Sequence, residues 1–577
     1  MIKEGASHLR RTRYLPPVTN LVIGSSKRPT TKKIRNVTLA ILVTAVLTGL
    51  LAVGWKRTVH YSIPEHGKSS AEKSSLVHQP NGEYALSFGN SSIRYVGTVP
   101  VIRIEGTPSD AGEAYARLLP NRLRDPLGQI DNNYGIYSGG FLHKLQKQWQ
   151  FRHLDEAFNQ DETAWLGGLW RGLNVKSEDS SVESALYLST VMDIGAPSIG
   201  SVGASVHAMA RSSSVLTTTH GTNGHRLLIG RSFSPIGLRY SSKLPPPAVV
   251  IDKTKEVPFA SLTWPHAQGV VSGMNAFGIA ITVHPSKTQS KPRENSTSTV
   301  LLAERILATA RDSEEALQLL VSTKTLGSAV YLIANGTSRT WKVVEKTPAR
   351  TVVLDKSPLF VSGRLTSPVF AEDPHVERAS RHSQLQTREA RAKELLRKSK
   401  PTNERELVQI LRDDRTVGDS PLPIGHGAAL AALPGSQCSV LDPSGLVIWV
   451  NEKSHANGKF SAIDLRHHLL DEGTWPAPPS SIPASNDEKE TETLALSLTH
   501  LEQGLRHLHR KNFHLALEQA SHALALTPEL SAAHLLAGDA AQALKNGSLA
   551  EHHFRRYLAL QPANEEKSQA IRALLQN

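Results

Sequence analysis

The 577-residue sequence contains a single cysteine, Cys438. One cysteine excludes intramolecular disulfides, and it excludes every zinc or iron–sulfur site that several cysteines would hold. Any thiol nucleophile would have to be Cys438 itself. That residue lies inside a predicted hairpin strand, where a free cysteine usually behaves as a small buried apolar side chain. We therefore expect Cys438 to be structural.

Standard catalytic motifs are also absent. The chain has no GxxxxGK[ST], no HExxH, no GxSxG and no GxGxxG after a predicted strand. Without them, nothing in the sequence supports P-loop, zincin, nucleophile-elbow or dinucleotide-binding chemistry. The 25 histidines are scattered, and the adjacent pairs at 467–468 and 552–553 are typical of solvated helix faces. We expect no metal site.

Positive charge is concentrated at the N-terminus. The net charge is +13, and residues 1–36 hold nine Lys or Arg against one acid, Glu4. The rest of the chain is close to balanced for its length. The basicity therefore belongs to the tail, and no nucleic-acid partner is needed to explain it.

An uncharged apolar segment follows this basic tail. Residues 37–55 (VTLAILVTAVLTGLLAVGW) approach the ~20 residues that a helix needs to cross a bilayer. Because the basic residues precede it, the positive-inside bias predicts a cytoplasmic tail and main domains outside the cytoplasm. A cleaved signal peptide and a buried core helix are the alternatives that the pattern leaves open.

Composition divides the remainder of the chain. A polar stretch predicts a linker over 56–91, and mixed strand and helix patterns run over 92–470 as one large domain. A second linker, rich in Pro, Ser and acidic residues, covers 471–493. Residues 494–577 are helical in pattern throughout. The length of 577 residues suits such a division into several units.

The helical segment repeats with a period of 34 residues. Gly504 and Gly538 are 34 apart, and so are Pro528 and Pro562; the stretches ALALTP and YLALQP are near copies. A 34-residue period with small residues at helix crossings resembles tetratricopeptide repeats. Two repeats and a last helix are fewer than such arrays need for independent stability. Their concave face is a peptide-binding groove by default, so a protein or peptide partner is expected there.

The large domain begins with helical patterns and continues with hairpins. Asn335-Gly336 joins the stretches AVYLIA and TWKVVE, and the segment 442–445 (DPSG) turns a second hairpin over Gln437–Asn451. Two helices over 298–322 precede the first hairpin. Helices alternating with hairpin sheets predict an α/β layered fold with antiparallel sheets.

A succession of local patterns points to a known family. In chain order these are EGTPSDAGEAYARLL, WLGGLWRGLN, RSSSVLTTTHGTNGHRLLIGRSFS, GVVSGMNAFGIAIT, YLIANGTSRTWKVVEKTP and VSGRLTSP. Over about residues 95–465 this succession resembles the isopenicillin-N acyltransferase-like family of self-processing N-terminal-nucleophile (Ntn) hydrolases. The resemblance implies an Ntn-hydrolase-like αββα sandwich with antiparallel sheets.

The resemblance also implies a nucleophile. Members of that family cut their own chain before a nucleophilic residue, usually Cys, and the freed α-amine then acts as base to the adjacent side chain. Here Arg211-Ser212-Ser213-Ser214-Val215 stands in register with the family pattern, so Ser212 occupies the nucleophile position. A self-generated amine replaces metal or coenzyme, so no cofactor is implied. An unreactive Ser-rich edge strand is the alternative reading.

Other positions depart from the family pattern. Ser234 stands where the family has Asp, His284 where it has the Asn that binds the oxyanion, and Gly363 where a turn carries Asn. We expect His284 to donate a hydrogen bond and Ser234 to orient a neighbour. Asn275 either contacts substrate or fixes a tight turn, and Arg381 either buttresses the nucleophile or forms a surface ion pair. An oxyanion donor is worth about 2.7–4 kcal/mol, so these losses bear on the rate.

Two functions follow from this reading. The first is a membrane-anchored Ntn amidohydrolase or acyltransferase, self-cleaved before Ser212, acting on a small acylated amine or amide. The second is a catalytically degenerate protein of the same fold that serves as a binding or assembly module through its C-terminal repeats. The size of the chain on a denaturing gel separates them.

Overall fold

The computed structural model describes most of the chain beyond residue 74. The described residues are 75–78, 84–119, 154–173, 186, 189–190, 193, 211–221, 224–234, 247–263, 268–290, 296–356, 358–382, 384–431, 434–453, 455–470, 479–562 and 565–576. The predicted basic tail and the apolar segment 37–55 lie outside these ranges. Within them, no helix combines the length and the apolarity that crossing a bilayer requires.

The described strands form two sheets. Their bounds are β1 (Ser75–His78), β2 (Tyr84–Phe88), β3 (Ser91–Val96), β4 (Val99–Ile104), β5 (Arg211–Gly221), β6 (Gly224–Ser234), β7 (Ala248–Asp252), β8 (Phe259–Thr263), β9 (Ser272–Asn275), β10 (Ile279–Ser286), β11 (Ser328–Asn335), β12 (Thr340–Lys346), β13 (Thr351–Val353), β14 (Phe360–Ser362), β15 (Gln437–Asp442), β16 (Val447–Asn451) and β17 (Phe460–Asp464). The eleven-stranded sheet has the order β1-β2-β3-β4-β7-β8-β9-β10-β11-β12-β13, and the six-stranded sheet the order β14-β5-β6-β15-β16-β17. All pairings between these strands are antiparallel except β4 with β7, and an isolated bridge between Thr297 and Thr325 is also parallel.

The helices lie between and after these strands. Their bounds are α1 (Pro108–Leu118), α2 (Gln160–Leu173), α3 (Thr299–Thr309), α4 (Ser313–Ser322), α5 (Pro374–His382), α6 (Leu385–Ser399), α7 (Glu404–Leu411), α8 (Arg466–Leu469), α9 (Glu488–His509), α10 (Phe513–Leu526), α11 (Ser531–Ala543), α12 (Gly547–Ala559) and α13 (Glu565–Gln576). Thr107 and Asp110 form a capping box that starts α1.

The two sheets pack face to face over one apolar core. Leu216 and Ile229 of the smaller sheet share a buried cluster with Val249, Met274 and Ala280 of the larger sheet. Side chains alternate between the faces of a strand, so each strand also has residues on the outer face. This core is the middle of the sandwich.

Helices cover both outer faces. Helices α1 and α2 pack on the larger sheet around Ile102 and Trp170, and α3 and α4 pack on it around Ile281 and Ile306. Helices α6 and α7 cover the smaller sheet, with Trp449 among the buried residues. The order helix, sheet, sheet, helix confirms the predicted αββα sandwich. Both predicted hairpins are also confirmed, as β11–β12 and β15–β16.

The turns of these two hairpins contact each other at the end of the sandwich. A Cβ atom added to Gly336 would come 2.2 Å from the backbone of Pro443, so only glycine fits there. The Ser444 hydroxyl donates a 2.9 Å hydrogen bond to the Gly336 carbonyl. The two turn signals of the sequence therefore also fix how the sheets meet.

The C-terminal segment consists of helices α9 to α13. A Cβ atom at Gly504 would lie 2.5 Å from Leu536 Cδ2, and one at Gly538 would lie 2.5 Å from Phe554 Cε1. Both glycines of the 34-residue period therefore stand where neighbouring helices approach closely. The tetratricopeptide identity stays a prediction.

Described strands and helices extend into both segments that the sequence predicts as linkers. Strands β1 and β2, with the start of β3, fall within the predicted linker 56–91, because these short strands follow a stretch whose composition is mostly polar. At the other end, Ile482 pairs with Phe460 and α9 begins at Glu488, inside the predicted linker 471–493.

Candidate active site

One end of the sandwich interior is polar. Ser212 and Ser214 share the inner face of β5 with Leu216, and Arg231 shares the inner face of β6 with Ile229. His284 extends the same face of β10 beyond Ala280. These polar side chains are at most 1% exposed. A buried polar cluster in an otherwise apolar layer requires an explanation, because burying polar groups is unfavourable unless they are hydrogen-bonded.

Ser212 and His284 are in direct contact across the two sheets. The Ser212 Oγ atom lies 2.9 Å from His284 Nδ1. The other ring nitrogen, Nε2, lies 3.0 Å from Thr282 Oγ1 and 3.2 Å from Ser214 Oγ. This is the geometry in which an imidazole accepts a proton from a hydroxyl while its second nitrogen is held by neighbouring oxygens.

Arg231 completes the cluster. Its Nη1 donates to Ser212 Oγ at 2.6 Å, Nε donates to Ser272 Oγ at 3.2 Å, and Nη2 donates to the Val283 carbonyl at 2.6 Å. Nη1 also lies 2.9 Å from His284 Nδ1. Because a guanidinium only donates, the network favours the tautomer in which Nδ1 is unprotonated and accepts.

Burial sets the charge state of both groups. Desolvation, with the positive charge of Arg231 next in size, lowers the pKa of His284 well below its ordinary value of 6.5. Desolvation also lowers the pKa of Arg231, to about 9. At neutral pH the imidazole is therefore neutral and able to accept a proton, while the guanidinium keeps its charge. The hydrogen-bond partners of Arg231 are neutral, so this charge is available to stabilise a negative oxygen.

The sequence also predicted Ser234, Gly363 and Arg381 for the site, and the structure places them on β6, directly after β14 and on α5. Ser234 is buried at the end of β6 and contacts the Ser436 hydroxyl. Gly363 directly follows β14, whose Ser362 pairs with Ser213, so it lies beside the Ser212 end of β5. Arg381 belongs to the last turn of α5, and its side chain is outside the described part of the chain.

Asn275 is engaged entirely by the backbone. Its Nδ2 donates to the carbonyls of Leu307 and Ala310, and its Oδ1 accepts from the amides of Phe277 and Ile279. The side chain therefore ties the turn between β9 and β10 to the end of α3. This geometry favours the turn-fixing alternative that the sequence left open over substrate contact.

Replacement of Asn275 by alanine is expected to lower the free energy of unfolding by about 2–4 kcal/mol, because it leaves buried backbone groups without partners. Urea titration followed by tryptophan fluorescence measures the loss. The matched control is Asn335→Ala, which removes the same side chain from a more exposed turn where it accepts only from Thr337 and Ser338. Equal losses in the two variants would contradict the role of Asn275.

A cavity of about 950 Å³ adjoins the polar cluster. Two of its lining residues are direct strand neighbours of the cluster: Val330 pairs with His284, and Val361 pairs with Ser214. Its volume lies within the range of small-molecule sites. Val369, which lines the cavity, is 44% exposed, so part of the cavity wall is apolar and open to solvent.

Glu345 is a buried carboxylate in the wall of this cavity. It accepts hydrogen bonds from the Thr366 amide at 2.5 Å, from the Thr366 hydroxyl at 2.7 Å and from the Ser367 amide at 3.0 Å. These donors belong to the segment after β14. Glu345 therefore joins the larger sheet to the segment that follows Gly363 and fixes one side of the cavity.

Two arginines of the site were missed by sequence reasoning. Arg231 lies inside strand β6, and the alternation of that strand places it on the inner face with Ile229. Arg388 of α6 is 2% exposed, and its charge also lowers the pKa of His284. A basic residue at an inward position of a strand was the available signal for Arg231. No local signal marks Arg388.

Comparisons with known proteins give structural likenesses alone. No protein-family profile matches the chain, and no curated protein does. The fold is similar to a mutant of the conjugated bile acid hydrolase from Clostridium perfringens, with 13% identity and a TM-score of 0.30 over 47% of this chain and 96% of that one. A second variant of that hydrolase gives 13% identity and a TM-score of 0.30 over 48% and 99%. The Caenorhabditis elegans ortholog of N-acylethanolamine-hydrolyzing acid amidase gives 13% identity and a TM-score of 0.28 over 40% and 93%.

Proposed function

We propose that the chain is an Ntn-type amidohydrolase or acyltransferase whose nucleophile is Ser212. The observation that supports this most directly is the contact of Ser212 Oγ with His284 Nδ1 at 2.9 Å and with Arg231 Nη1 at 2.6 Å, at the start of a strand in an αββα sandwich. A hydroxyl, a neutral base and a cation are the three groups that acyl transfer needs.

The first reaction in this proposal is self-cleavage. Ser212 Oγ attacks the carbonyl carbon of Arg211 while its proton passes to His284 Nδ1. The peptide bond between the two residues breaks, the leaving nitrogen takes the proton, and an ester joins Arg211 to Ser212 Oγ. Water hydrolyses this ester, which leaves a carboxylate on Arg211 and a free α-amine on Ser212.

The second reaction uses the same hydroxyl on a separate amide. The new α-amine, with a pKa of ~8, lies next to Oγ and serves as its base. Attack on the amide carbonyl gives a tetrahedral oxyanion near Arg231, and collapse releases the amine and leaves an acylated Ser212. Water or an acceptor amine then takes the acyl group. The adjoining cavity, lined by Val330 and Val361, would hold the acyl part.

The size of the purified chain tests this proposal. Cleavage before Ser212 predicts two fragments on a denaturing gel, residues 1–211 and 212–577, with Ser212 as the new N-terminus by Edman sequencing. The variant Ser212→Ala should remain whole, and Ser213→Ala, whose side chain lies on the outer face of β5, should be cut like the wild type. A wild-type chain that stays intact would contradict the self-cleaving enzyme and favour the degenerate binding module.

Two further parts of the proposal rest on the sequence. They are membrane anchoring by residues 37–55 and a peptide partner at the C-terminal helices. The anchor is supported by the uncharged run and the basic residues before it. The partner is supported by the 34-residue period and the close helix crossings at Gly504 and Gly538.

A further inference from the structure

Three buried polar atoms near the candidate nucleophile have no hydrogen-bond partner. They are Oε1 and Nε2 of Gln437 and Oγ of Ser439, and both residues are 0% exposed. Most buried polar side-chain atoms in folded proteins are paired, because leaving one unpaired is costly. Three such atoms within three residues of one strand indicate a place where a polar group from outside the chain binds.

The register of the smaller sheet places these atoms beside the site. Ser212 pairs with Phe233, and Phe233 pairs with Gln437, so the three residues form one row across β5, β6 and β15. In the next row on the same face, Ser439 pairs with Arg231. Leu441, two residues further along β15, faces the core between the sheets. Gln437 and Ser439 therefore face inward, on the side of Arg231 away from the cavity.

Distance decides what these atoms contact. An oxyanion donor lies ~2.7–3.1 Å from an oxygen on the very carbon that Oγ attacks. Gln437 is two strands from Ser212, which is ~9.6 Å at the usual strand spacing. Because Phe233 stands between Ser212 and Gln437 in this row, the Gln437 side chain is placed for a group several bonds beyond the scissile nitrogen rather than for the oxyanion.

We infer that Gln437 and Ser439 form a polar subsite for the amine part of the substrate. This inference rests on the proposed function and names its substrate class. The acyl chain lies in the cavity beside Val330 and Val361, the scissile amide lies at Ser212, and the amine part passes Phe233 to reach the subsite. A carboxamide and a hydroxyl each donate and accept, so the preferred amine part carries a group that does both, such as a hydroxyl, rather than a carboxylate or an alkyl group.

Two matched amides test the subsite. N-octanoyl-3-aminopropanol carries a hydroxyl, and N-octanoylbutylamine has a methyl group in its place. A site built to hydrogen-bond a hydroxyl rejects the analogue without it by up to ~10⁴–10⁵-fold. We expect the wild-type kcat/KM for the hydroxyl amide to exceed that for the alkyl amide by ~10²-fold or more. In the double variant Gln437→Met, Ser439→Ala, the ratio should fall to near unity.

The ratio is measured within each variant, so a general loss of activity does not affect it. Gln268→Met is the matched control: it makes the same change at another buried glutamine, whose Nε2 contacts the Glu162 carbonyl and which takes no part in the site. This control should keep the wild-type ratio. Because the replaced atoms lack partners, the double variant should also melt at the same temperature as the wild type or higher.

The outcomes separate this inference from the proposed function. Acylation of the wild type by p-nitrophenyl octanoate, located on Ser212 by peptide mass mapping, supports the nucleophile independently of the amine. If Ser212 is acylated but the two amides react alike, or the double variant keeps the preference, the subsite is wrong and the polar atoms hold water only. If Ser212 is never acylated, the proposed function fails and the subsite fails with it.

Discussion

Replacement of His284 by alanine is expected to slow self-cleavage before Ser212 by ~10³-fold, within the ~10²–10⁴ that a positioned base contributes. In the uncut chain the nitrogen of Ser212 is part of a peptide bond and cannot accept a proton. Among the described residues, His284 is placed to accept the proton of the Ser212 hydroxyl, because its Nδ1 lies 2.9 Å from Oγ. A time course of fragment appearance after denatured protein is refolded gives the rate.

The pH dependence of that rate identifies the base. A depressed pKa means that the active, neutral form of His284 is present above that pKa and is lost as the pH falls through it. Burial and Arg231 hold the pKa of His284 well below 6.5. The cleavage rate should therefore stay constant from pH 8 down to pH 6.5, where a histidine of ordinary pKa would already be half protonated. A rate that halves by pH 6.5 would contradict a buried His284 as the base.

A matched variant distinguishes loss of the base from loss of the fold. Thr282→Val keeps the shape of the side chain and removes the hydroxyl that lies 3.0 Å from His284 Nε2. We expect a smaller slowing than in His284→Ala, because the base is retained and only its orientation loosens. Equal slowing in the two variants would indicate that the cluster acts through stability rather than through proton transfer.

Much of the fold was predictable from local signals. Asn335-Gly336 and the segment 442–445 marked two hairpins, and the structure contains both. These signals are local because a turn and its two strands are neighbours in sequence. The size of the larger sheet was not predictable, since the pairing of β4 with β7 joins residues that are far apart in the chain.

The candidate site was predictable only in part, for a related reason. Ser212 and His284 were identified from a family resemblance, and the structure brings them into contact across the two sheets. Arg231, Gln437 and Ser439 were not identified, because their importance depends on which strands are adjacent. A residue on the inner face of β15 becomes part of the site only when β15 pairs with β6.

Replacement of Arg231 by methionine is expected to lower the rate of acylation of Ser212 by ~10²–10³-fold, the usual loss when a donor to a developing oxyanion is removed. The guanidinium donates to Oγ at 2.6 Å, and its charge has neutral partners. It therefore stabilises the ionised hydroxyl and the oxyanion more than the neutral ground state. The burst of p-nitrophenol from p-nitrophenyl octanoate measures the acylation rate.

The same replacement separates catalysis from stability. Arg231 is a buried cation without a carboxylate partner in the described part of the chain, and burying such a charge is unfavourable. Arg231→Met replaces it with an apolar side chain of similar length. This variant should therefore change the free energy of unfolding far less than a variant that breaks a buried ion pair. The contrast is Arg391→Met, because Arg391 is 1% exposed and forms ion pairs with Asp413 and Glu394. Arg391→Met should destabilise the fold more than Arg231→Met does, because it removes the two hydrogen bonds that Arg391 donates to the Asp413 carboxylate, although Glu394 keeps its ion pair with Lys398. Ser212 in the folded fraction should still be acylated at the wild-type rate. Acylation that falls equally in both variants would show that Arg231 acts through packing, and would remove the reason for assigning it to the oxyanion.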